Sequence, residues 1–293
     1  MMSGRGITDL GAPPSPFRVD RHCTGFETST MSADEDLIRA KQFTRTATRY
    51  PEKVDPEAAI ALADALSGGK GQTLSSLASS AYMRRLRIKV CGHIWKLVTE
   101  VKTHRVRTFT IIPATGERSA DDLRESNPSH MVNAVRSALY SKGAGQSNGW
   151  LIAFLHSELD PIADVYRFHF HGICYGEMVH VVDRLRTLPN YRSRRLQHDG
   201  SPSPVYRRLR LSRKPLDRLP TPITYLLQSF WPARALLISE NGKRLRERRK
   251  GRIKEPRHTQ ALLWLDEHRL EDLTLMIGLR VTKAGLKQTK PVS

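Results

Sequence analysis

Cysteine is scarce in this chain, and acids are outnumbered by bases. Only Cys23, Cys91 and Cys174 occur among 293 residues, with no Cys-x-x-Cys pair. That excludes a cysteine-based zinc finger and a disulfide framework, and fits a reducing compartment. No apolar run reaches the ~20 residues of a membrane-spanning helix, and the amino terminus lacks the basic-then-apolar layout of a secretory signal. The chain therefore reads as soluble and cytoplasmic, with no membrane partner. Internal repeats, a Gly-rich phosphate loop and a helicase motif are also missing.

What is abundant is positive charge. Lysine and arginine number 48 against 29 acids, a formal charge of +19 with pI near 10.3. Such a surface repels itself unless a polyanion is its partner. Between Arg184 and Lys254 there are 20 lysines and arginines against 4 acids, so most of the excess sits in one stretch. A basic linker would give the same count, but these arginines are interleaved with strand-like and helix-like patterns, which favours a nucleic-acid surface.

Residues 1–30 are rich in Gly, Pro, Ser and Thr with no apolar period, and read as a disordered tail. Met31 heads the structured part and is an alternative initiator. A helical, basic region follows over 31–103. Asp55 as N-cap, Pro56 at the first helical position and Gly68-Gly69 as a stop mark one short helix. The next helical pattern, from Thr73 to about Thr99, is interrupted near Gly92 and carries Arg84, Arg85, Arg87, Lys89 and Lys96. It is either laid against phosphates or simply solvated.

From residue 104 the pattern changes. Val106–Pro113, with Phe109-Thr110-Ile111 at its centre, alternates and is β-branched, so it reads as a strand. Met131, Val132, Val135 and Leu139 recur at helical spacing up to Gly143. Trp150–Leu155 is a second strand running on into His156 and Glu158, and Val165–Tyr175 a third. A helix is expected from Met178 to about Leu188. Val205–Leu211 reads as a basic strand with Tyr206, Arg208 and Arg210 on one face, suited to phosphate contacts with an aromatic available for base stacking. Thr221–Phe230 reads as a capped amphipathic helix. At roughly 100° per residue, Ile223, Leu226, Leu227 and Phe230 share its apolar side, while Tyr225 and Gln228 lie opposite. Tyr225 is either an inconsequential surface residue or one facing a site. The remainder, 233–293, opens with the cluster Lys243–Lys250. It then predicts two short helices with a turn near Glu267-His268, packed on the main domain or acting as a helix-turn-helix on DNA.

The third strand carries the chemistry. In Phe168-His169-Phe170-His171-Gly172 the alternation of a strand puts both histidines on one face and both phenylalanines on the other. Two imidazoles so held are half of a metal site. Taken alone, the pair is equally compatible with two solvent-facing histidines.

Taken in order, these segments resemble the HUH endonucleases, the replication-initiator and relaxase superfamily named for histidine-hydrophobic-histidine. The resemblance covers roughly residues 104–232. It implies an α+β fold, an antiparallel sheet of about five strands with flanking helices of the split βαβ type, here with helical N- and C-terminal extensions. It also implies that His169 and His171 with a third polar ligand hold Mg²⁺ or Mn²⁺, and that Tyr225 attacks a DNA phosphodiester. His156 and Glu158 share a face by parity, and Glu158 is favoured as third ligand because a carboxylate suits those ions better. Replication initiators of this type usually carry a lysine three or four residues after the tyrosine, where this chain has Gln228 and Ser229.

The expected activity is nicking and joining of single-stranded or hairpin origin DNA through a 5′-phosphotyrosine, starting rolling-circle-type replication of a plasmid, phage or mobile element with a host helicase and polymerase. Tyr206, Arg208, Arg210, Arg84 and Arg85 are the expected nucleic-acid contacts. A module of the same fold that binds nucleic acid without cutting is the alternative, as is a structural zinc site beside an RNA-binding region.

Overall fold

The structure is a computed structural model. It describes the chain except residues 1–4, 20–22, 24–25, 69–73, 102–104, 197–199, 201–202, 204, 215, 217–220, 229, 239–243, 247–250 and 290–293. Three helices come first: α1 (Ser29–Arg49), α2 (Pro56–Leu66) and α3 (Ser80–Thr99). Each begins where a side-chain oxygen accepts an otherwise orphaned backbone N–H: Thr28 from Met31, Asp55 from Ala58, Ser79 from Tyr82. The buried carboxylate of Asp36 in α1 accepts from the Ser79 hydroxyl and the Ser80 and Ala81 amides, which fixes the start of α3 against α1.

Then follow β1 (Val106–Ile111), β2 (Glu117–Ser119), α4 (Pro128–Tyr140), β3 (Gly149–Asp160), β4 (Val165–Gly176), α5 (Met178–Arg184), β5 (Leu209–Leu211) and α6 (Thr221–Thr224). The remaining elements are β6 (Pro232–Ala233), β7 (Leu236–Ile238), β8 (Arg244–Arg246), β9 (Gly251–Arg252), α7 (Arg257–Asp266), β10 (Thr274–Ile277), β11 (Leu279–Thr282) and β12 (Gly285–Gln288).

The fold is α+β with a mostly antiparallel open sheet. Its main path is β5-β1-β4-β3-β6-β9, with β2 added to β4 and β10 to β3. The histidine strand β4 therefore lies in the middle, paired antiparallel with β1 on one side and with all of β3 on the other. Gly172 marks a tight place in this sheet. A Cβ there would collide with the Phe109 ring, with Ala153 and with the Ile152 carbonyl, so only glycine lets the three strands close. Phe168 and Phe170 are buried, with Leu155 and Val135 of α4, on the back of the sheet. One hydrophobic core runs from Ile7 to Leu286.

Several expectations are corrected. Residues 5–19 are not a loose tail: Ile7, Leu10 and Phe17 are buried, because a few widely spaced apolar residues suffice when the main body offers sockets for them. One socket is Gly92, where a Cβ would strike Pro13; α3 passes through this glycine unbroken. The sheet has eight strands rather than about five. The second C-terminal helix contracts to a 3-10 turn over Leu270–Leu273, and Thr274–Ile277 is strand β10 on the edge of β3, followed by the β11–β12 hairpin. A short apolar run has no period that separates helix from strand, and a vacant ladder on β3 decided it. The strand expected over Val205–Leu211 contracts to β5, and α5 ends in a 3-10 turn over Leu185–Thr187. Of the cluster Lys243–Lys250, Arg244–Arg246 forms β8, and Lys243 and residues 247–250 lie outside the described residues. Among the described residues no helix is long and apolar enough to cross a membrane.

Candidate active site

Strand alternation does what the sequence implies: His169 and His171 emerge on the face opposite Phe168 and Phe170 and approach each other, Nε2 to Nε2, at 3.1 Å. Their other ring nitrogens are held. His169 Nδ1 lies 3.0 Å from the Arg167 carbonyl oxygen, which only accepts, so the neutral ring carries its proton there and turns a lone pair inward at Nε2. His171 Nδ1 lies 3.1 Å from the Thr110 hydroxyl, which can accept or donate. With Thr110 accepting, two lone pairs converge; with Thr110 donating, His171 Nε2–H closes on His169.

The converged state fits a metal. Two nitrogens bound at a right angle to one ion at about 2.1 Å stand about 3.0 Å apart, and a second-shell acceptor on each Nδ1 is the usual support of a ligating histidine. Among the described residues no group of three His, Cys, Asp or Glu side chains forms a complete metal-binding set. The candidates for a third ligand part company here. His156 pairs in register with His169 and its ring lies 5.4 Å from that of His171, yet its Nε2 donates to the Leu226 carbonyl at 2.6 Å. Glu158, buried and two residues further along β3, lines the same pocket as the pair.

That pocket, of about 80 Å³, is lined by Glu158, His169, His171, Tyr225 and Gln228, with Thr110, Arg167, Arg210 and Arg234 around them. It has room for a few water-sized groups or one phosphate, not for a whole nucleotide. With Arg167 neutralised by Asp160, Arg210 and Arg234 stand against Glu158 in the lining and leave it mildly favourable to an anion.

Tyr225 does not sit on the long helix expected. α6 is one turn, Thr221–Thr224, and Tyr225 begins the turn that follows; the side chains of Thr221 and Pro222 and all of Ser229 lie outside the described residues. The segregation of faces survives nonetheless. Ile223, Leu226 and Leu227 are buried, with Cys91 of α3 against the Ile223 carbonyl, while Tyr225 is 50% exposed. Its ring meets His171 edge-on at 5.0 Å between centroids. Phe230, expected on the apolar side, is exposed because the chain has left the helix by then.

Two features were missed by reading the sequence. His156 clamps the backbone of the tyrosine turn rather than joining the histidine pair. Asp160 and Arg167 form an ion pair of 2.7 Å beneath the pocket, both buried, with Glu117 3.6 Å from the same guanidinium. No pattern of spacing announces either, since the first depends on how the tyrosine turn packs against β3 and the second on the β3–β4 register.

The expected nucleic-acid residues separate. Arg210 lines the pocket. Arg208 donates to the Pro113 carbonyl, and burial draws its pKa below the usual arginine range. Tyr206 is exposed beyond the sheet edge, 5.8 Å from the Arg195 guanidinium. Arg84 donates to the Glu27 carbonyl and Arg85 to that of Leu74, both on α3 and outside the pocket. Comparison with protein-family models, with curated proteins and with solved structures gives no match.

Proposed function

We propose that this chain is a metal-dependent single-strand DNA nicking and joining enzyme of the HUH type, with Tyr225 as nucleophile, that initiates rolling-circle-type replication of a plasmid, phage or related mobile element. The observation that carries this reading is the Tyr225 ring packed against His171 in one pocket with His169, Glu158 and Gln228. The strand order supports it: β1 and β3 both flank β4 antiparallel, with α4 between them in sequence, as in a split βαβ unit.

A phenol is a poor nucleophile near neutral pH because its pKa is about 10, so the site must favour the phenolate and the charge gathering on phosphorus. His169, His171 and Glu158 would hold Mg²⁺ or Mn²⁺, which when bound neutralises charge on the scissile phosphate. Tyr225 Oη bonds to phosphorus as the P–O3′ bond breaks. The proton lost by the phenol is matched by the one gained at the 3′-hydroxyl, so no co-reactant is needed. The reverse attack by a 3′-hydroxyl rejoins the strand. Arg210 and Arg234 supply positive charge, Gln228 a neutral hydrogen bond in place of a lysine, and His156 holds the turn that presents Tyr225.

Incubation with pooled single-stranded oligonucleotides and Mn²⁺ tests this. A protein–DNA adduct that survives denaturation is the expected result. Tight binding with no adduct leaves the non-catalytic binding module as the better reading.

A further inference from the structure

Arg210 lines two cavities. One is the Tyr225 pocket; the other is an open cleft of about 630 Å³ at the β5 edge of the sheet, lined by Arg186, Ser193, Tyr206, Arg207, Leu209, Arg210, Leu211 and Arg213. Among the described residues no acid lines this cleft. Register connects the two: Arg210 pairs with Thr110 across β1–β5, and Thr110 with His171 across β1–β4. Directly paired residues project from the same face of a sheet, so Arg210, Thr110 and His171 form one row from the edge to the histidine pair.

We propose that this edge cleft is a binding subsite for the single-stranded flank on one side of the scissile phosphate, in which Arg207, Arg210 and Arg213 take backbone phosphates and Tyr206 stacks one unpaired base. It rests on the nicking reading given above. Arg207, Arg210 and Arg213 bring three positive charges to the cleft, which complements a phosphate backbone. Arg186 belongs to the wall, tied to Asp183 and to the Leu209 carbonyl, and so stiffens β5. Tyr206 is 48% exposed, with the Arg195 guanidinium 5.8 Å from its ring centroid, so a planar base can stack on the ring there. Because the cleft opens off a single edge, recognition is one-sided: nucleotides on one flank of the nick are held and those on the other are not.

The test is fluorescence-anisotropy binding of labelled single-stranded oligonucleotides to the full chain, with Tyr206→Ala, Tyr206→Phe and Arg207→Ala/Arg213→Ala, each checked for an unchanged thermal melt. Tyr206→Ala should weaken binding about tenfold and Tyr206→Phe hardly at all, with no such loss on duplex of the same sequence, whose bases are already stacked. The arginine pair should lower the slope of log K against log salt by about 1.4. Trimming the oligonucleotide should cost affinity from one end only. Wild-type affinity and slope in these variants, an equal loss on duplex, or a symmetric trimming profile would overturn the proposal. The two readings fail separately. Adduct formation with indifferent cleft variants removes the cleft alone; no adduct in wild type, with cleft variants still losing single-strand affinity, removes the nicking alone.

Discussion

The Nε2 atoms of His169 and His171 stand 3.1 Å apart although the residues occupy alternate positions of one strand. Strand neighbours of this kind ordinarily project side by side, and here the Arg167 carbonyl and the Thr110 hydroxyl turn the two rings toward each other. The Thr110 hydroxyl rotor lets the pair exist as an internal hydrogen bond or as two converging lone pairs without any rebuilding of the strands.

Replacing both histidines by alanine should abolish Mn²⁺ binding and adduct formation while keeping most single-strand affinity, which rests on the arginines. Water-proton relaxation enhancement by Mn²⁺, read beside anisotropy binding, checks this. Unchanged Mn²⁺ binding in the double variant would remove the pair from the metal site.

Tyr225→Phe removes one hydroxyl from a half-exposed ring. Stability should change by no more than about 0.5 kcal/mol and DNA affinity hardly at all, while the denaturation-resistant adduct disappears. Adduct formed by the phenylalanine variant would assign the nucleophile elsewhere.

His156→Ala cuts the link to the Leu226 carbonyl. Adduct formation should slow at least tenfold with Mn²⁺ affinity retained, because the turn bearing Tyr225 loses its clamp while the ligand pair stays. A parallel loss of Mn²⁺ binding would instead make His156 a ligand.

Asp160→Asn removes the carboxylate charge 2.7 Å from the buried Arg167 guanidinium, leaving Glu117 at 3.6 Å, and should destabilise by about 3 kcal/mol. Burial pushes the Asp160 pKa up, but the Arg167 guanidinium and the Ile162 and Ala163 amides outweigh it and hold the carboxyl below its usual range. Its contribution is thus complete above the usual aspartate pKa near 4 and is lost as pH falls through the lower, folded value. Acid denaturation followed by circular dichroism should be shallower below about pH 4 in the asparagine variant.

His93, His258 and His268 all have pKa values lowered by burial. A depressed folded value means that the unfolded chain binds protons first, so stability falls as pH drops below the ordinary histidine value near 6.5. Calorimetry should show a lower Tm at about pH 5.5 than at about pH 7.5. Equal Tm values would contradict the burial of these rings.

Much of the site was legible because it depends on short-range periodicity. The face shared by His169 and His171, the back-facing Phe168 and Phe170 and the apolar trio Ile223, Leu226 and Leu227 follow from side-chain spacing that no tertiary contact can alter while the local backbone holds. The cap Asp55, followed by Pro56, is equally local. Misreadings fell where local signals were ambiguous. The Thr274–Ile277 run carries no helix-specific period, and the Gly/Pro-rich segment before residue 20 offers too few apolar residues to reveal that each has a place in the core.

The sequence by itself determined the composition of the pocket: which residue types are present and which of them share a face. Tertiary structure decided how they meet. The β3–β4 register sets His156 opposite His169 and Glu158 opposite Arg167, the one-turn α6 brings the Tyr225 ring onto His171, and a carbonyl and a hydroxyl from two strands orient the imidazoles. These are contacts between residues far apart in sequence, 61 positions for Thr110 and His171 and 70 for His156 and Leu226. Periodicity fixes direction within an element, whereas the placement of one element against another is fixed by the packing of the whole core.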